Sequence, residues 1–386
     1  MGFLGVLTLI LIVTTLVGHF SARIGIPAVI GQLVIGVVLG PAVLNWVQPS
    51  HFIHIFSEIG VIILMFMAGI ESDLQLLKKY LKPSVIVAIL GVIVPIASTM
   101  LVGRAFGISG KENIFIAVIF AATSVSISVA VLKELNVLKG KAGATILGAA
   151  MVDDVLAVII LSIMVSVMGT TTGGASNNLV LTFVEQIIYF IAIYFVVRFI
   201  APYLARIGEK LFMPVGVTLV SVILCFGMAY VADLIGLSSV VGAFFAGIAV
   251  SQTTAKTEVD RHIEPIGYAI FIPVFFVSIG LNMTLSGIRQ DLLLIVVLTV
   301  VATLSKLIGA GLGAYASKFD LKTSYLVGAG MVSRGEMALI IAQIGYQAKL
   351  LSTDYYSAIV TAIILTTLIA PFLIKSAIPK ELEITG

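Results

Sequence analysis

The chain has 386 residues, of which 60% are hydrophobic and 11% charged, against about 25% charged in an ordinary soluble domain. Its mean hydropathy is +1.20. So few charges cannot cover a soluble fold of this size. The composition therefore excludes a soluble enzyme, a nucleic-acid binder and a disordered chain, and makes a lipid bilayer the natural solvent. The net charge of +3 is small, so only its distribution is informative; the single cysteine, Cys225, sits in an apolar run and reads as inert packing.

A membrane-crossing helix needs about 20 mostly apolar residues. In chain order, thirteen segments qualify: 3–20, 27–44, 54–70, 83–106, 112–134, 142–168, 179–204, 213–231, 237–252, 262–281, 290–317, 321–347 and 354–377. Nothing is left for a soluble domain, and the longest polar stretch, GTTTGGASNN at 169–178, reads as a loop between spans six and seven. The first span does not read as a typical signal peptide, since no basic residue precedes it and Arg23 follows it. Of the Lys and Arg residues outside spans, sixteen fall on the side of the C-terminus and four (Arg104, Lys111, Arg289, Lys349) on the other. Basic loops stay in the cytoplasm. The split predicts a multi-pass protein of the cytoplasmic membrane, with the N-terminus outside and the C-terminus inside.

The sequence repeats itself. Val29-Ile30-Gly31 with Gly36 matches Val240-Val241-Gly242 with Gly247, an offset of 211 residues, and the same offset carries Gly69 onto Gly280 and Leu74 onto Leu285. Span two maps onto span nine. Seven spans is an odd number, so the halves face opposite ways. Inverted repeats of this kind build many secondary transporters.

Five charges fall inside spans: Asp153 and Asp154 in span six, Lys306 in span eleven, Arg334 and Glu336 in span twelve. A charge near the bilayer midplane is costly and marks a functional site by default. Adjacent helical residues point about 100° apart, so Asp153 and Asp154 have different tasks: one faces a protein partner, the other a wet cavity. A carboxylate binds H⁺ or a hard cation such as Na⁺, not both at once, and this competition is the simplest exchange mechanism. The bland reading is a set of structural ion pairs. It is weak for Asp154, evenly matched for Asp153 and Lys306, and favoured for Arg334 and Glu336.

Span five carries Thr123, Ser124, Ser126 and Ser128 within six residues, and span twelve carries Gly328, Gly330, Ser333 and Gly335 around Arg334. Hydroxyls satisfy backbone groups freed where a membrane helix is interrupted. The offset maps Thr123 onto Arg334, so the two weak spots correspond. Paired interruptions point to a transporter's ion site, with Thr123 and Ser124 lining it and Arg334 or Glu336 neutralising half-helix ends. Close packing of small residues is the alternative for the hydroxyl run. Glu71 and Asp73 read as interfacial. His19, His51, His54 and His262 lie near span ends and read as solvated or packed. Gln32, Asn45 and Glu185 have no compelling partner. GAGLGA at 309–314 reads as a small-residue helix face, because no strand precedes it. No Walker lysine motif supports ATP-driven transport.

The segments IPAVIGQLVIGVVLGP (26–41), TSVSISVAVLKEL (123–135), GAAMVDDVLAVI (148–159), SKLIGAGLGA (305–314) and MVSRGEMALIIA (331–342) resemble the monovalent cation:proton antiporters of the NapA type, related to GerN spore-germination antiporters and Kef-type potassium efflux proteins. The resemblance covers essentially the whole chain, and its most specific part is the double aspartate with the downstream lysine. It implies an all-α polytopic fold of thirteen helices, an inverted repeat with two broken crossing helices, and a homodimer that moves ions by an elevator motion. By position, 1–82 and 211–286 would form the dimerisation domain, 83–170 and 287–386 the core, and 171–210 the linker helix. Asp154 matches the essential ion-binding aspartate, hence Na⁺ at Asp154, and Asp153 the aspartate paired with the span-eleven lysine, here Lys306. Members with Asp-Asp tend to be electrogenic; those with Asn first tend to be electroneutral. The implied partners are the bilayer, a second copy, monovalent cations and protons, with no cofactor, no enzyme activity and no nucleic acid. Rival readings are an electroneutral K⁺/H⁺ exchanger, a cation-coupled solute symporter, a gated channel (no TVGYG filter is present) and a non-transporting sensor.

Overall fold

The computed structural model describes residues 2–23, 27–108, 110–168, 179–283, 288–347 and 350–378. The predicted 169–178 loop, Lys349 and the C-terminal residues after 378 lie outside them. The described chain is all-helical. Eight helices are long and apolar enough to cross a membrane: Phe3–Ser21, His51–Glu71, Leu81–Ala105, Val184–Lys210, Gly216–Leu234, Lys256–Leu281, Asp291–Ala316 and Tyr355–Ser376. The other predicted segments hold helix too, but in forms that length and hydropathy do not distinguish. Ala28–Leu39 (α2) and Ser239–Ser251 (α12) are short apolar helices. Lys141–Met168 (α8) is one long helix. The segments 112–134 and 321–347 are each split in two. Gly110–Ile119 (α6) is followed by Val125–Glu134 (α7), and Leu321–Gly330 (α16) by Gly335–Gln347 (α17).

The 211-residue offset reappears in the element boundaries. It carries the start of α2 at Ala28 onto the start of α12 at Ser239, and the end of α6 at Ile119 onto the end of α16 at Gly330. Leu81, where α5 (Leu81–Ala105) begins, maps onto Leu292, the residue after Asp291, whose φ of −109° and ψ of 15° interrupt the start of α15 (Ile288–Ala316). Boundaries depend on caps and turn residues rather than on hydropathy, so their agreement is independent of the glycine match.

By contacts the chain forms two units. The first comprises Met1–Leu11, Ser50–Gln75 and Gly173–Phe275. Its centre is α3 (His51–Glu71) packed on α12, with α11 (Gly216–Leu234) also packed against α12. Two glycines make the approach possible. A Cβ on Gly69 would lie 2.1 Å from the Phe244 carbonyl, and one on Gly247 would lie 2.1 Å from the Phe66 carbonyl. Helices in lipid gain little from the hydrophobic effect and associate through such close backbone packing. Gly247→Ala is therefore expected to destabilise the protein by about 1–3 kcal/mol, the range for overpacking. Gly227 is the control, since a Cβ there meets nothing within 4 Å. Gly227→Ala should be neutral or stabilise slightly by removing glycine's backbone freedom. Thermal unfolding of the two purified variants, side by side, reads both. In the same unit His262 shares a hydrogen bond of 2.9 Å with Thr218, while His54 lies exposed 3.7 Å from Glu58. Cys225 is buried.

The second unit comprises Ile12–Pro49, Leu76–Thr172 and Phe276–Gly386. Its centre is α5 lying along α15, flanked by α8, α16 and α18 (Thr353–Ser376). The GAGLGA stretch is the contact face: a Cβ on Gly309 or Gly313 would come within 2.7 Å of the α5 backbone at Leu90 or Val87. Here α2 packs on the end of α14 (Ile272–Leu281), with Gly36 against the Val277 carbonyl and Gly280 against the Leu33 carbonyl. The offset turns Gly36 into Gly247 and Gly280 into Gly69. The glycine contact of one unit is thus the repeat image of the glycine contact of the other.

A polar clasp closes one end of this unit. Lys141 Nζ reaches Asp320 Oδ1 at 2.7 Å, and Asp320 also caps α16 by accepting the Thr323 N–H at 3.1 Å. The Lys141 ammonium, with help from the Thr323 donors, holds the Asp320 carboxyl well below the usual carboxylate range. A carboxyl depressed on folding stabilises the folded state above its unfolded pKa, and that contribution fades as pH falls toward the folded value. Asp320→Asn is accordingly expected to lower the melting temperature slightly at neutral pH. The gap to wild type should narrow below about pH 4, near the unperturbed aspartate value. Melting curves of the two proteins across pH 3–8 would reveal a gap that fails to narrow.

Candidate functional site

The two interruptions touch. The Ser124 N–H donates to the Ser333 carbonyl at 2.8 Å, and Ser128 Oγ donates to the Gly330 carbonyl at 2.5 Å. Each break lies after half a helix, where the last carbonyls have no partner in their own helix. Gly335 sits at φ +44°, which a residue with a Cβ rarely adopts, and an added Cβ would lie 2.5 Å from the Ser124 side chain. The glycine therefore permits both the turn and the contact.

Charge gathers on one half-helix. Lys306, fully buried on α15, donates to the Ala121 carbonyl at 2.7 Å and lies 3.4 and 3.5 Å from the two oxygens of Asp153. Arg334, also fully buried, donates through Nη1 to the Ala122 carbonyl at 3.1 Å and through Nη2 to the Ala302 carbonyl at 2.8 Å. Two cations thus face the carbonyl end of α6, where the helix dipole is negative. Arg334, expected to neutralise a half-helix end, bonds carbonyls beside the first break and on α15. Lys306 was expected to pair with Asp153, and it does. Its contact to the carboxylate is nevertheless longer than the 2.7–2.9 Å of a strong charge-assisted bond, and its shortest bond is to a backbone carbonyl. Gly91 on α5 faces the Lys306 stem, since an added Cβ there would meet its Cε and Nζ at 3.7 Å.

Asp153 and Asp154 sit on adjacent positions of α8, both buried, at 1% and 6% exposure. Asp153 interacts electrostatically with Lys306 and with Arg334, and Asp154 also reaches Lys306. Thr123 and Ser124 are buried at the first break. Ser124 Oγ lies 3.0 Å from Ser126 Oγ. Among the described residues Thr123 Oγ1 and Ser333 Oγ are buried without a hydrogen-bond partner. Buried hydroxyls usually find one, so these oxygens suit water or a cation. Glu336 lies in α17, but its side chain is outside the described residues.

Three participants escape a reading of charged residues. The Ala121 and Ala122 carbonyls are backbone atoms with no sequence signature of their own. Thr367 on α18 accepts the Gly335 N–H at 3.0 Å and donates to the Ile363 carbonyl at 2.8 Å. Its only signal was the Thr366-Thr367 pair within the apolar stretch of α18.

Comparison with known proteins extends the picture. Residues 7–378 match the family described as "Sodium/hydrogen exchanger, transmembrane". The chain is 54% identical over 377 residues to a Na⁺/H⁺ antiporter of Enterococcus hirae, covering 97% of this chain and 98% of that protein. It is 44% identical over 369 residues to the Na⁺/H⁺-K⁺ antiporter GerN of Bacillus cereus, covering 96% and 94%. Its fold is similar to the solved structure of the sodium proton antiporter MjNhaP1 from Methanocaldococcus jannaschii, with a TM-score of 0.67 at 18% identity over 97% of this chain and 96% of that one. Buried carboxylates beside two touching helix breaks, in a chain that matches from end to end, lead to one assignment: the protein belongs to the sodium/hydrogen exchanger family of monovalent cation:proton antiporters.

Proposed function

We propose that this protein is a secondary antiporter that exchanges Na⁺ for H⁺ across the cytoplasmic membrane. The observation that carries the reading is the buried Asp153–Lys306 contact with Asp154 beside it, in the unit that holds both helix breaks. Asp154 is the cation carboxylate, helped by Asp153 and by oxygens at Thr123 and Ser124, and Na⁺ and H⁺ compete for it. When Asp153 turns to the cation, Lys306 loses its partner and releases a proton. Two protons then move against one Na⁺, and one net charge enters per cycle. That charge is worth about 2.3 kcal/mol per 100 mV, so the membrane potential helps expel Na⁺.

The architecture proposed with it has thirteen spans in two inverted halves, the N-terminus outside and the C-terminus inside. The helix boundaries and paired glycine contacts that recur at 211 residues support the repeat. Residues 83–170 and 287–386 form an elevator core, 1–82 and 211–286 a dimerisation scaffold, and 171–210 the linker. Both core stretches fall within the second contact unit, which also includes residues 12–49.

Purified protein in liposomes with a trapped pH-sensitive dye tests this. Na⁺, Li⁺ and K⁺ gradients are imposed in turn, with the potential clamped and free. Proton flux driven by Na⁺ and sensitive to potential is the expected result, and no flux with any cation from folded protein would refute antiport. The specific second reading is K⁺/H⁺ exchange, favoured by the 44% identity to an antiporter named for both ions. Flux driven by K⁺ alone would select it.

A further inference from the structure

We propose that Thr367 is a positioning residue: its hydroxyl receives the Gly335 N–H and so leaves the Ala122 carbonyl to Arg334. The argument comes from a hydrogen bond that the repeat leads one to expect and that the structure replaces. The offset carries Ser124 onto Gly335 and Ala122 onto Ser333. The observed bond from the Ser124 N–H to the Ser333 carbonyl therefore has an image, a bond from the Gly335 N–H to the Ala122 carbonyl. That image is replaced. Arg334 Nη1 takes the Ala122 carbonyl at 3.1 Å, and the Gly335 N–H turns to Thr367 Oγ1 at 3.0 Å. The hydroxyl is fully used, because it also donates to Ile363 one turn back on α18 at 2.8 Å. Thr367 is buried at 0% exposure, so no water stands in for it at the surface.

The Gly335 N–H and the Ala122 carbonyl thus each have a partner of their own, and the Thr367 hydroxyl is what keeps them from competing. Without it, a buried N–H at the first position of α17 competes with the guanidinium for the Ala122 carbonyl. Arg334 then shifts, and with it the carbonyl end of α6 beside Asp153. This inference rests on the antiport reading, because its effect is read in cation binding at the neighbouring carboxylates.

The test compares Thr367→Val, nearly the same shape without an acceptor, with Thr367→Ser, which keeps the hydroxyl. Both are reconstituted in liposomes alongside wild type. Wild-type exchange establishes the antiport reading first, so a failure there is separate from a failure here. With wild type active, Thr367→Val is expected to raise the apparent KM for Na⁺ about tenfold, the size of effect typical of one buried donor left without its acceptor. Thr367→Ser should stay within about twofold of wild type on the same scale. An unchanged KM in Thr367→Val overturns the proposal, and so does equal impairment of Thr367→Ser, which would trace the effect to the methyl group. A fall in maximal rate alone, with KM unchanged, also overturns it. If Thr367→Val does not reach the membrane folded, Thr367→Ala removes the same acceptor with less volume and is held to the same outcomes.

Discussion

Asp154→Asn is expected to reduce cation-driven proton flux to that of protein-free liposomes. The substitution keeps size, shape and one oxygen, and removes the charge and the exchangeable proton. Both matter. A desolvated monovalent cation needs a full negative charge to offset the water it has shed, and an amide neither supplies that charge nor takes up a proton when the cation leaves. Asp154 is buried at 6% exposure on a helix that reaches well past it on both sides, so the exchange should leave the fold intact. Thermal unfolding checks that point in the same preparation. Flux at the wild-type rate from this variant would remove Asp154 from the site.

Lys306→Gln should leave exchange running but strip it of its response to membrane potential. Glutamine retains an N–H donor for the Ala121 carbonyl and for Asp153, so the local hydrogen bonds persist in outline. What disappears is the proton that the ammonium carries. With one proton against one cation, no net charge crosses, and the driving force per 100 mV falls from about 2.3 kcal/mol to zero. The geometry agrees with a partner that lets go. Lys306 holds a carbonyl at 2.7 Å and the carboxylate at only 3.4 Å. Separating the pair therefore leaves the ammonium with a bond already made. Flux is measured at several clamped potentials set by a K⁺ gradient and valinomycin. A slope equal to that of wild type would exclude the lysine as a proton carrier.

Much of this was legible because membranes make polarity conspicuous. In an aqueous protein, Asp153, Lys306 and Arg334 would be three charges among many. In a bilayer each is an expense, and the expense singled them out. Among the described residues, helix is found in each of the thirteen predicted segments, and eight helices are long and apolar enough to cross by that measure alone. Hydropathy sees a continuous apolar run at 112–134 and cannot see that the backbone breaks after Ile119. The hydroxyl run and the glycines around Arg334 gave that away, since both types accommodate an interrupted helix. The carbonyls of Ala121 and Ala122 stayed hidden, because a backbone acceptor looks the same at every alanine. Thr367 stayed hidden for another reason. It bonds its own preceding turn at Ile363, as threonines in apolar helices commonly do, and nothing in the sequence shows that it also accepts an N–H from another helix, 32 residues away.

The relation between Thr123 and Arg334 bears on how many ions one chain carries. Two copies of an ancestral half would offer two equivalent cation positions. In this chain one of the two corresponding positions carries the covalently attached, buried guanidinium of Arg334, while its image carries the small hydroxyl of Thr123. Under the inverted repeat proposed above, that one difference would turn a double site into a single one. On the antiport reading proposed above, each chain then carries one cation per stroke, beside a positive charge that is permanently aboard.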